Sequence, residues 1–368
     1  MKRLNLLSIL SAGLLALSTT SCENQDQSFP DYDTQTVYFS YQSPIRTITL
    51  GEDIYDTSPD NAHKCQIYAT WSGGYSNNSD VKINIVVDES LCDNLYYADG
   101  SKIKPMPANY YKLAANEIII PKGSISGGVE VQLTDAFFAD PAALTTTYVI
   151  PVRMTGVSDG TTILTGKAKA TVTNPVLTNA VDWEVLPKNF VMYAVKYINT
   201  WEGYYLRRGK DAITKDGVNS AVVRHSKYVE NDAVWKLTSL SLSSIRYPMD
   251  YKNKLGNDLN FALNLNFTGD NCAVTAPTTM YQVNDSVKVY DIVVSGQGKF
   301  VKDGEVKSWG NQDRDGIYLT YQTSYKIEIK YPKAGLQTET QSVAYNTSDT
   351  LVARNRGVTI GTFEYAKK

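Results

Sequence analysis

The strictest constraint on the fold of this 368-residue chain is an alternation of apolar and polar side chains between positions 259 and 267. Successive side chains of a β-strand point to opposite faces, so a period of two indicates a strand with one buried face. The apolar positions are Leu259, Phe261, Leu263, Leu265 and Phe267, and the positions between them hold three asparagines and one alanine. We therefore expect this segment to be a strand in the wall of a core.

Similar strand signals recur along the chain. Tyr, Thr and Val are frequent, as in strands, and only residues 140–144 have the pattern of a helical turn. Clusters of glycine, proline and asparagine separate the runs, which predicts an all-β protein. The other predicted strands are residues 37–39, 65–71, 81–87, 118–120, 129–133, 148–154, 168–172, 286–295, 317–321, 325–331 and 358–365.

The spacing of these runs predicts two β domains. Residues 34–175 have the strand intervals of a β-sandwich, and Asn174 and Pro175 end them. Residues 180–368 predict a meander of sequential strands, which closes into a barrel or folds into a jelly-roll-like sandwich. Spacing alone leaves both arrangements of the second domain open.

The N-terminus has the pattern of a secretory signal. Lys2 and Arg3 precede a leucine-rich run that ends in small and polar residues before Cys22. This run is shorter than the roughly 20 apolar residues that span a bilayer. The segment around Cys22 resembles a bacterial lipobox, although Thr19 stands where leucine is usual, a departure common in Bacteroidetes lipoproteins. The resemblance implies a signal peptide over residues 1–21 and a lipid on Cys22; a cleaved signal with an incidental cysteine is the alternative.

The polar residues that follow Cys22 predict a flexible tether over residues 22–33. Their acidic members resemble the export tag of surface lipoproteins. That likeness implies a protein anchored to the outer membrane by its lipid and exposed on the cell surface rather than on the periplasmic face.

Charge and cysteine content exclude several classes of function. Without Lys2 and Arg3, 34 of the 36 basic residues remain against 38 acidic ones, so nucleic acid is not an expected partner. No Cys-x-x-Cys pair occurs, and we expect neither a metal site nor a cofactor. Cys65, Cys92 and Cys272 follow the signal; a Cys65–Cys92 disulfide is one arrangement, and packed free thiols are the favoured one.

Several short motifs resemble a known family. Residues 111–113 (Tyr-Lys-Leu), 118–123 (Ile-Ile-Ile-Pro-Lys-Gly), 133–135 (Leu-Thr-Asp) and 148–152 (Tyr-Val-Ile-Pro-Val) are similar to the immunoglobulin-like N-terminal domain of Bacteroidetes surface lipoproteins encoded beside starch-utilisation-type glycan importers. Residues 201–205 (Trp-Glu-Gly-Tyr-Tyr) open a meander that resembles the accompanying lipocalin-like C-terminal domain. The resemblance implies an accessory protein that captures glycan for an outer-membrane uptake system.

Catalytic motifs are scarce, so we expect no enzyme. The chain has two histidines, His63 in a polar loop and His225 in a strand-like run, and neither belongs to a known catalytic pattern. A glycoside hydrolase needs two carboxylates at a set separation. Among 38 acidic residues such a pair could arise, and a hydrolase therefore stays as the third hypothesis.

Two segments combine aromatic and polar residues as sugar sites do, because an aromatic face packs on a pyranose ring while amides and charged groups bond its hydroxyls. The first contains Trp309, Asn311, Asp313 and Arg314; alternatively, Trp309 plugs one end of a barrel and Asp313 pairs with Arg314 or caps a turn. The second contains Trp71 and Tyr75 beside a glycine pair; alternatively, Trp71 enters the sandwich core.

Together these observations predict a non-catalytic surface lipoprotein that binds oligosaccharide and passes it to importer subunits of the same locus. The 26 tyrosines exceed the expected need of the core, which favours exposed rings. The main alternative is a structural or protein-binding lipoprotein, such as a fimbrial or assembly component. A row of exposed Trp and Tyr beside polar groups would favour the sugar hypothesis.

Overall fold

The computed structural model describes residues 34–158, 160–331 and 338–367. Within them the chain is built from strands with a few short helices, which confirms the all-β prediction. The predicted signal peptide (residues 1–21), the lipidation residue Cys22 and the tether (residues 22–33) lie outside the described residues.

The first body of the structure is a two-sheet sandwich. Its strands alternate between buried and exposed side chains, as β3 shows with Cys65, Ile67, Ala69 and Trp71 facing the core. The strands are β1 (Gln35–Tyr38), β2 (Pro44–Thr49), β3 (Lys64–Ser72), β4 (Val81–Val87), β5 (Leu95–Tyr97), β6 (Lys104–Pro105), β7 (Tyr111–Leu113), β8 (Glu117–Ile120), β9 (Ser126–Leu133), β10 (Tyr148–Val157), β11 (Thr161–Ile163), β12 (Lys167–Ala168), β13 (Trp183–Val185) and β14 (Phe190–Ile198).

The two sheets of the sandwich differ in their strand order. One sheet runs β11-β1-β3-β9-β7, and the other contains β2-β14-β10-β4-β8 with β6 beside β10. Most pairs are antiparallel, but β1 pairs with β11, β2 with β14 and β6 with β10 in parallel. Their inward side chains, among them Val37, Ile67 and Tyr197, form one core between the sheets.

The structure corrects the predicted end of the first domain. β14 lies between β2 and β10 in the second sheet, so the sandwich extends to Ile198 rather than to residue 175. Nearly all of its residues are buried, because both of its faces are covered. A strand of this kind shows no alternation, and for that reason the sequence pattern did not reveal it.

The second body is a closed barrel, which decides between the two predicted arrangements. Its strands pair in sequence, and β24 returns to pair with β15 in antiparallel orientation, so the ring has no gap. The strands are β15 (Gly203–Lys215), β16 (Val218–Arg224), β17 (Ala233–Ser239), β18 (Ser244–Pro248), β19 (Ala262–Thr268), β20 (Asn271–Thr275), β21 (Tyr281–Asn284), β22 (Val287–Glu305), β23 (Arg314–Ile329) and β24 (Glu339–Asn355). Two of them, β16 and β21, lie outside the ring as partners of β15 and β22.

The end of the chain returns to the sandwich, so the second domain does not extend to residue 368 as predicted. β25 (Gly361–Thr362) pairs with β2, and β26 (Tyr365–Lys367) pairs with β5. Arg356 lies in the chain just before this segment. Its guanidinium donates hydrogen bonds to the carbonyl oxygens of Leu50 (3.1 Å) and Asn199 (2.5 Å) in the sandwich region and of Glu202 (2.6 Å) at the barrel. One side chain therefore ties the two bodies together.

The helices are short. They are α1 (Ser58–Asn61) and α2 (Asp135–Ala139), with single 3₁₀ turns at Glu89–Cys92, Pro141–Leu144, Ala180–Asp182, Val229–Asn231 and Trp309–Asn311. Within the described residues, no helix has the length and apolar content that crossing a membrane requires.

A buried ionic network fills part of the barrel interior. The carboxylate of Asp349 accepts hydrogen bonds from Arg207 (3.0 Å), Arg224 (2.6 Å), Tyr247 (2.9 Å) and Tyr321 (2.8 Å). Burial alone would raise the pKa of Asp349, but the two guanidinium groups and their hydrogen bonds hold it below its usual value. The carboxylate is therefore ionised and serves as the counter-ion of the buried Arg207 and the partly buried Arg224.

Aromatic rings pack beside this network in the barrel interior. The guanidinium of Arg207 lies over the rings of Trp235 (4.8 Å) and Tyr247 (5.4 Å). Tyr251 stacks on Tyr345 with their ring centroids 4.2 Å apart. Much of the tyrosine content of the chain thus packs inside the barrel.

The three cysteines of the described residues, Cys65, Cys92 and Cys272, are buried free thiols. This confirms the packed-thiol expectation over the Cys65–Cys92 disulfide.

We predict that Asp349→Asn strongly destabilises the protein, because it leaves Arg207 buried without its buried counter-ion, while Arg224 keeps only its second partner, Asp211. The expected loss is about 3–5 kcal/mol, as for a broken buried ion pair, measured as the free energy of unfolding in urea. Asp250→Asn is the matched control, since this carboxylate lies 3.5 Å from Arg207 but is 60% exposed, and it should change stability by less than about 1 kcal/mol. Equal effects of the two variants would contradict the assignment.

Candidate functional site

The loop with the first predicted site does not present an open aromatic face. The indole of Trp309 is half-buried, and its Nε1 donates a hydrogen bond to the carbonyl oxygen of Ala353 at 3.0 Å. The guanidinium of Arg314 lies 3.5 Å from the ring centroid and covers one face of it. The structure thus brings Trp309 and Arg314 together, but as partners of each other.

The other two residues of that loop serve its conformation. Asp313 Oδ1 accepts a hydrogen bond from the backbone N–H of Lys307 at 2.7 Å and so closes the loop. Asn311 is exposed and has a positive φ of 55°. These contacts correspond to the alternative interpretation of this segment, in which its polar residues shape a turn.

The second predicted site is split by the structure. Trp71 is only 2% exposed and packs in the sandwich core, so it cannot stack on a sugar at the surface, and this candidate is wrong. The reason is the alternation of β3, which places Trp71 on the same face as Ile67. Tyr75 follows in the loop after β3 and is exposed, so the two residues do not share a site.

A different surface collects exposed tyrosines. Tyr41, Tyr55 and Tyr68 are 65%, 42% and 57% exposed, and they line one groove of about 980 Å³ on the sandwich. We call it the tyrosine groove. Its other lining residues are Ser40, Pro44, Ile45, Arg46, Thr47, Asp56, Pro59, Lys64, Cys65, Gln66, Ile67, Thr70, Val191, Tyr193, Val358, Thr359 and Ile360.

The groove exists because β3 has a partly unpaired edge. β9 pairs with β3 from Lys64 to Thr70 on one side, whereas on the other side β1 pairs only from Thr70 to Ser72. The rest of that edge faces β2 and β14 of the second sheet, and the segment 358–360 lies beside it. The groove is therefore an open seam between the two sheets.

The unpaired edge supplies backbone hydrogen-bonding groups. In an antiparallel pair, alternate residues bond to the same neighbouring strand. Trp71 donates its backbone N–H to Ile125 on the β9 side (2.8 Å), so the backbone groups of Gln66 and Tyr68 point to the other side. There β1 begins only at Thr70, and in the described part of the chain these groups face the groove.

A partly buried ion pair lies at the groove, with Arg46 in its lining and Asp60 beneath Arg46. Arg46 donates to the carboxylate of Asp60 and to the carbonyl oxygen of Thr47 (2.5 Å), and Asp60 also accepts the backbone N–H of Thr49 (2.8 Å). Burial raises the pKa of Asp60 despite the opposing effects of the Thr49 N–H and Arg46. Asp60 thus neutralises Arg46, and the pair adds no net charge to the groove.

The side chains around the groove are held in place. The hydroxyl groups of Tyr55 and Thr49 are 2.7 Å apart and share a hydrogen bond. Below them, Cys65 is buried beside Tyr193, and desolvation raises the pKa of the Cys65 thiol to about 12. Lys64 forms an ion pair with Glu130 at 2.9 Å. The groove therefore presents aromatic faces, basic groups that are paired with carboxylates, the Asp56 carboxylate and backbone amides.

The amino-acid sequence does not reveal this site, because its tyrosines are scattered along the chain. Tyr41, Tyr55 and Tyr68 lie in separate segments with no shared motif, and only the pairing of the sheets brings them together. One signal was available: Tyr68 occupies the opposite phase to Ile67 and Trp71 in the β3 alternation, which places its ring outside the core.

Comparison with known protein families divides the chain into two parts. Residues 200–357 match a domain of unknown function, DUF5627, and residues 32–161 match the model of an N-terminal domain family. The first match covers the barrel, and the second covers most of the sandwich. No curated protein matches the sequence.

Solved structures from Bacteroides are similar to this chain. A protein of unknown function from Bacteroides ovatus is 44% identical with a TM-score of 0.79, and the match covers 92% of this chain and 100% of that one. A multidomain protein including DUF1735, also from Bacteroides ovatus, is 14% identical (TM-score 0.41; 88% and 96% covered). An auxiliary nutrient binding protein from Bacteroides thetaiotaomicron is 13% identical (TM-score 0.36; 85% and 92% covered).

We predict that Cys65, although it lines the tyrosine groove, is unreactive in the folded protein. A thiol with a pKa of about 12 is almost entirely protonated at neutral pH, and only the thiolate reacts. Maleimide labelling of a form that begins after Cys22, followed by mass spectrometry, should be more than about a hundredfold slower at Cys65 in the native state than in urea. Rapid native labelling would show that the groove floor is open to solvent.

Proposed function

We propose that this chain, which belongs to the same family as the Bacteroides ovatus protein of unknown function that it matches at 44% identity, is a non-catalytic protein that binds oligosaccharide at the cell surface. The observation that carries this proposal is the tyrosine groove, where three exposed rings surround one cleft. Delivery of the bound sugar to an outer-membrane uptake system is part of the same proposal.

The chemistry of the groove supports a sugar ligand. Aromatic faces pack against the C–H face of a pyranose ring, and a few polar groups then fix its orientation. Tyr41, Tyr55 and Tyr68 supply the faces, and the backbone groups of Gln66 and Tyr68 supply donors and acceptors along an extended edge. A volume of about 980 Å³ suits several sugar units rather than one.

The charges of the groove favour a neutral oligosaccharide. Arg46 is neutralised by Asp60 and Lys64 by Glu130. A sulfated or uronic acid chain would require basic groups that are free to bind it. We therefore propose a ligand whose hydroxyl groups, rather than acidic groups, are recognised.

The acidic side chains of the groove support binding rather than hydrolysis. Asp60 is buried under Arg46 and the Thr49 N–H, and Asp56 accepts hydrogen bonds from the backbone and hydroxyl of Ser58. Hydrogen bonds from Ser58 lower the pKa of Asp56, which keeps it ionised and unsuited to act as a general acid. Both carboxylates of the groove therefore have structural partners.

We predict that Tyr41→Ala and Tyr68→Ala each weaken oligosaccharide binding about two- to thirteenfold, the effect of losing one aromatic contact of about 0.5–1.5 kcal/mol. Affinity gels or calorimetry with neutral plant and host oligosaccharides measure this. Tyr228→Ala is the matched control, because Tyr228 is also exposed but lies outside the groove.

The Trp309→Ala variant tests whether the sugar binds in the tyrosine groove or in the loop that contains Trp309. We expect it to bind as the wild-type protein does, since Trp309 is engaged by Arg314 and Ala353. A loss of binding in Trp309→Ala alone would move the site to that loop. If the wild-type protein binds none of the glycans in the panel, the proposed function is refuted.

The proposed location rests on the lipobox-like segment around Cys22. We predict that Cys22→Ala abolishes incorporation of labelled fatty acid and moves the protein from the membrane fraction to the soluble fraction. Protease treatment of intact cells then distinguishes the outer surface from the periplasmic face. A Cys22→Ala protein that stays in the membrane fraction would contradict lipid anchoring at this residue.

A further inference from the structure

The strand β16 is an exposed edge of the barrel sheet. It pairs with β15 on one side, and among the described residues no strand pairs with its other side. Val218 and Val223 are 70% and 67% exposed. An edge of this kind presents a row of backbone donors and acceptors to any second strand.

The hairpin turn determines which backbone groups are free. Asp216 and Gly217 both have positive φ, as in the two-residue turns that join strands tightly. In such a hairpin the residues flanking the turn, Lys215 and Val218, form a hydrogen-bonded pair, and bonded pairs recur at every second position. The backbone groups at the intervening positions, Asn219, Ala221 and Val223, therefore point away from β15.

Most of this edge lacks the features by which proteins prevent strand pairing. Val218–Arg224 contains no lysine, no proline and no bulge. Its one charged residue, Arg224, is the last residue of the strand and points inward to Asp211 and Asp349 (2.6 Å), which neutralise it. Inward-pointing charges protect an edge, so the stretch open to association through β-strands is Val218–Val223.

We propose that β16 is a dimer interface at which two copies of this chain pair their β16 strands in antiparallel orientation about a two-fold axis at Ala221. In this register, Ala221 of each copy lies opposite the other, Asn219 lies opposite Val223, and Val218 lies opposite Arg224. No like charges meet, and the residue on the axis is small. The same alternate positions point their backbone N–H and C=O groups outward in both copies. In this register these groups lie opposite each other and can form hydrogen bonds.

The pairing joins the two barrel walls into one continuous sheet. Each copy keeps its own tyrosine groove, since the groove lies on the sandwich and β16 lies on the barrel. The dimer therefore carries two sites, and it increases avidity for a polymer that spans both.

A cysteine at the axis tests the arrangement. In a directly opposed pair the Cα atoms are about 5.5 Å apart, within the range that a disulfide bridges. Under mild oxidation Ala221→Cys should form an interchain disulfide at least tenfold faster than Ala212→Cys. Ala212 is the matched control, because it is an exposed alanine directly across from Ala221 but on β15, which is paired on both sides.

A second measurement uses the mature chain without a cross-link. Light scattering during size-exclusion chromatography should give twice the monomer mass for the wild type, and the monomer mass for Ala221→Pro. The proline removes one outward N–H and leaves the β15 ladder intact, and circular dichroism checks its fold.

A wild-type protein that is monomeric at all concentrations, or equal cross-linking of Ala221→Cys and Ala212→Cys, would overturn the proposal. A monomer whose β16 edge instead captures an extended segment of another protein would also overturn it. Loss of glycan binding in groove variants does not affect either readout, so failure of the proposed function and failure of this interface are distinguishable.

Discussion

The pairing of β15 with β24 is the interaction on which the rest of the molecule depends. It joins the first and last strands of the barrel through Tyr204–Lys215 and Val343–Asn355. Gly209 lies directly opposite Asp349, and a Cβ on Gly209 would stand 2.5 Å from the carboxylate of Asp349. The glycine thus makes room for the carboxylate, which binds Arg207 two residues away on the same inward face of β15. The strand pairing that closes the sheet therefore also brings Asp349 of β24 to Arg207 of β15.

The residues that follow the last strand of the barrel complete the sandwich. The residues after β24 carry Arg356 to the junction of the two bodies, and the chain then continues past the tyrosine groove to pair with β2. Val358–Ile360 line the groove for this reason. The two domains recognised by family models are therefore not independent units, because the last residues of the chain complete the first domain. A defect in barrel closure should disturb the groove even though the two are built from different sheets.

The distribution of tyrosines connects the fold to the proposed function. The barrel interior takes up many of them, because a ring fills a β core while its hydroxyl reaches a buried polar partner, as Tyr247 and Tyr321 do at Asp349. Tyr41, Tyr55 and Tyr68 remain exposed around a cleft that the unpaired edge of β3 leaves open. The tyrosines therefore fall into two groups, one inside the barrel and one around the groove. The smaller group, around the groove, forms the proposed binding site.

The fold class and the faces of individual strands follow from the amino-acid sequence alone, because a period of two is a local property of the backbone. The alternation at Leu259–Phe267 predicted which side chains of β19 are buried, and the phase of β3 already separated Tyr68 from Trp71. The domain boundary, the closed barrel and the tyrosine groove become visible only in the folded chain. Each of these depends on pairing between distant segments, such as β14 with β2 or β24 with β15. A doubly covered strand shows no alternation, and residues far apart in the chain share no pattern until the sheets bring them together.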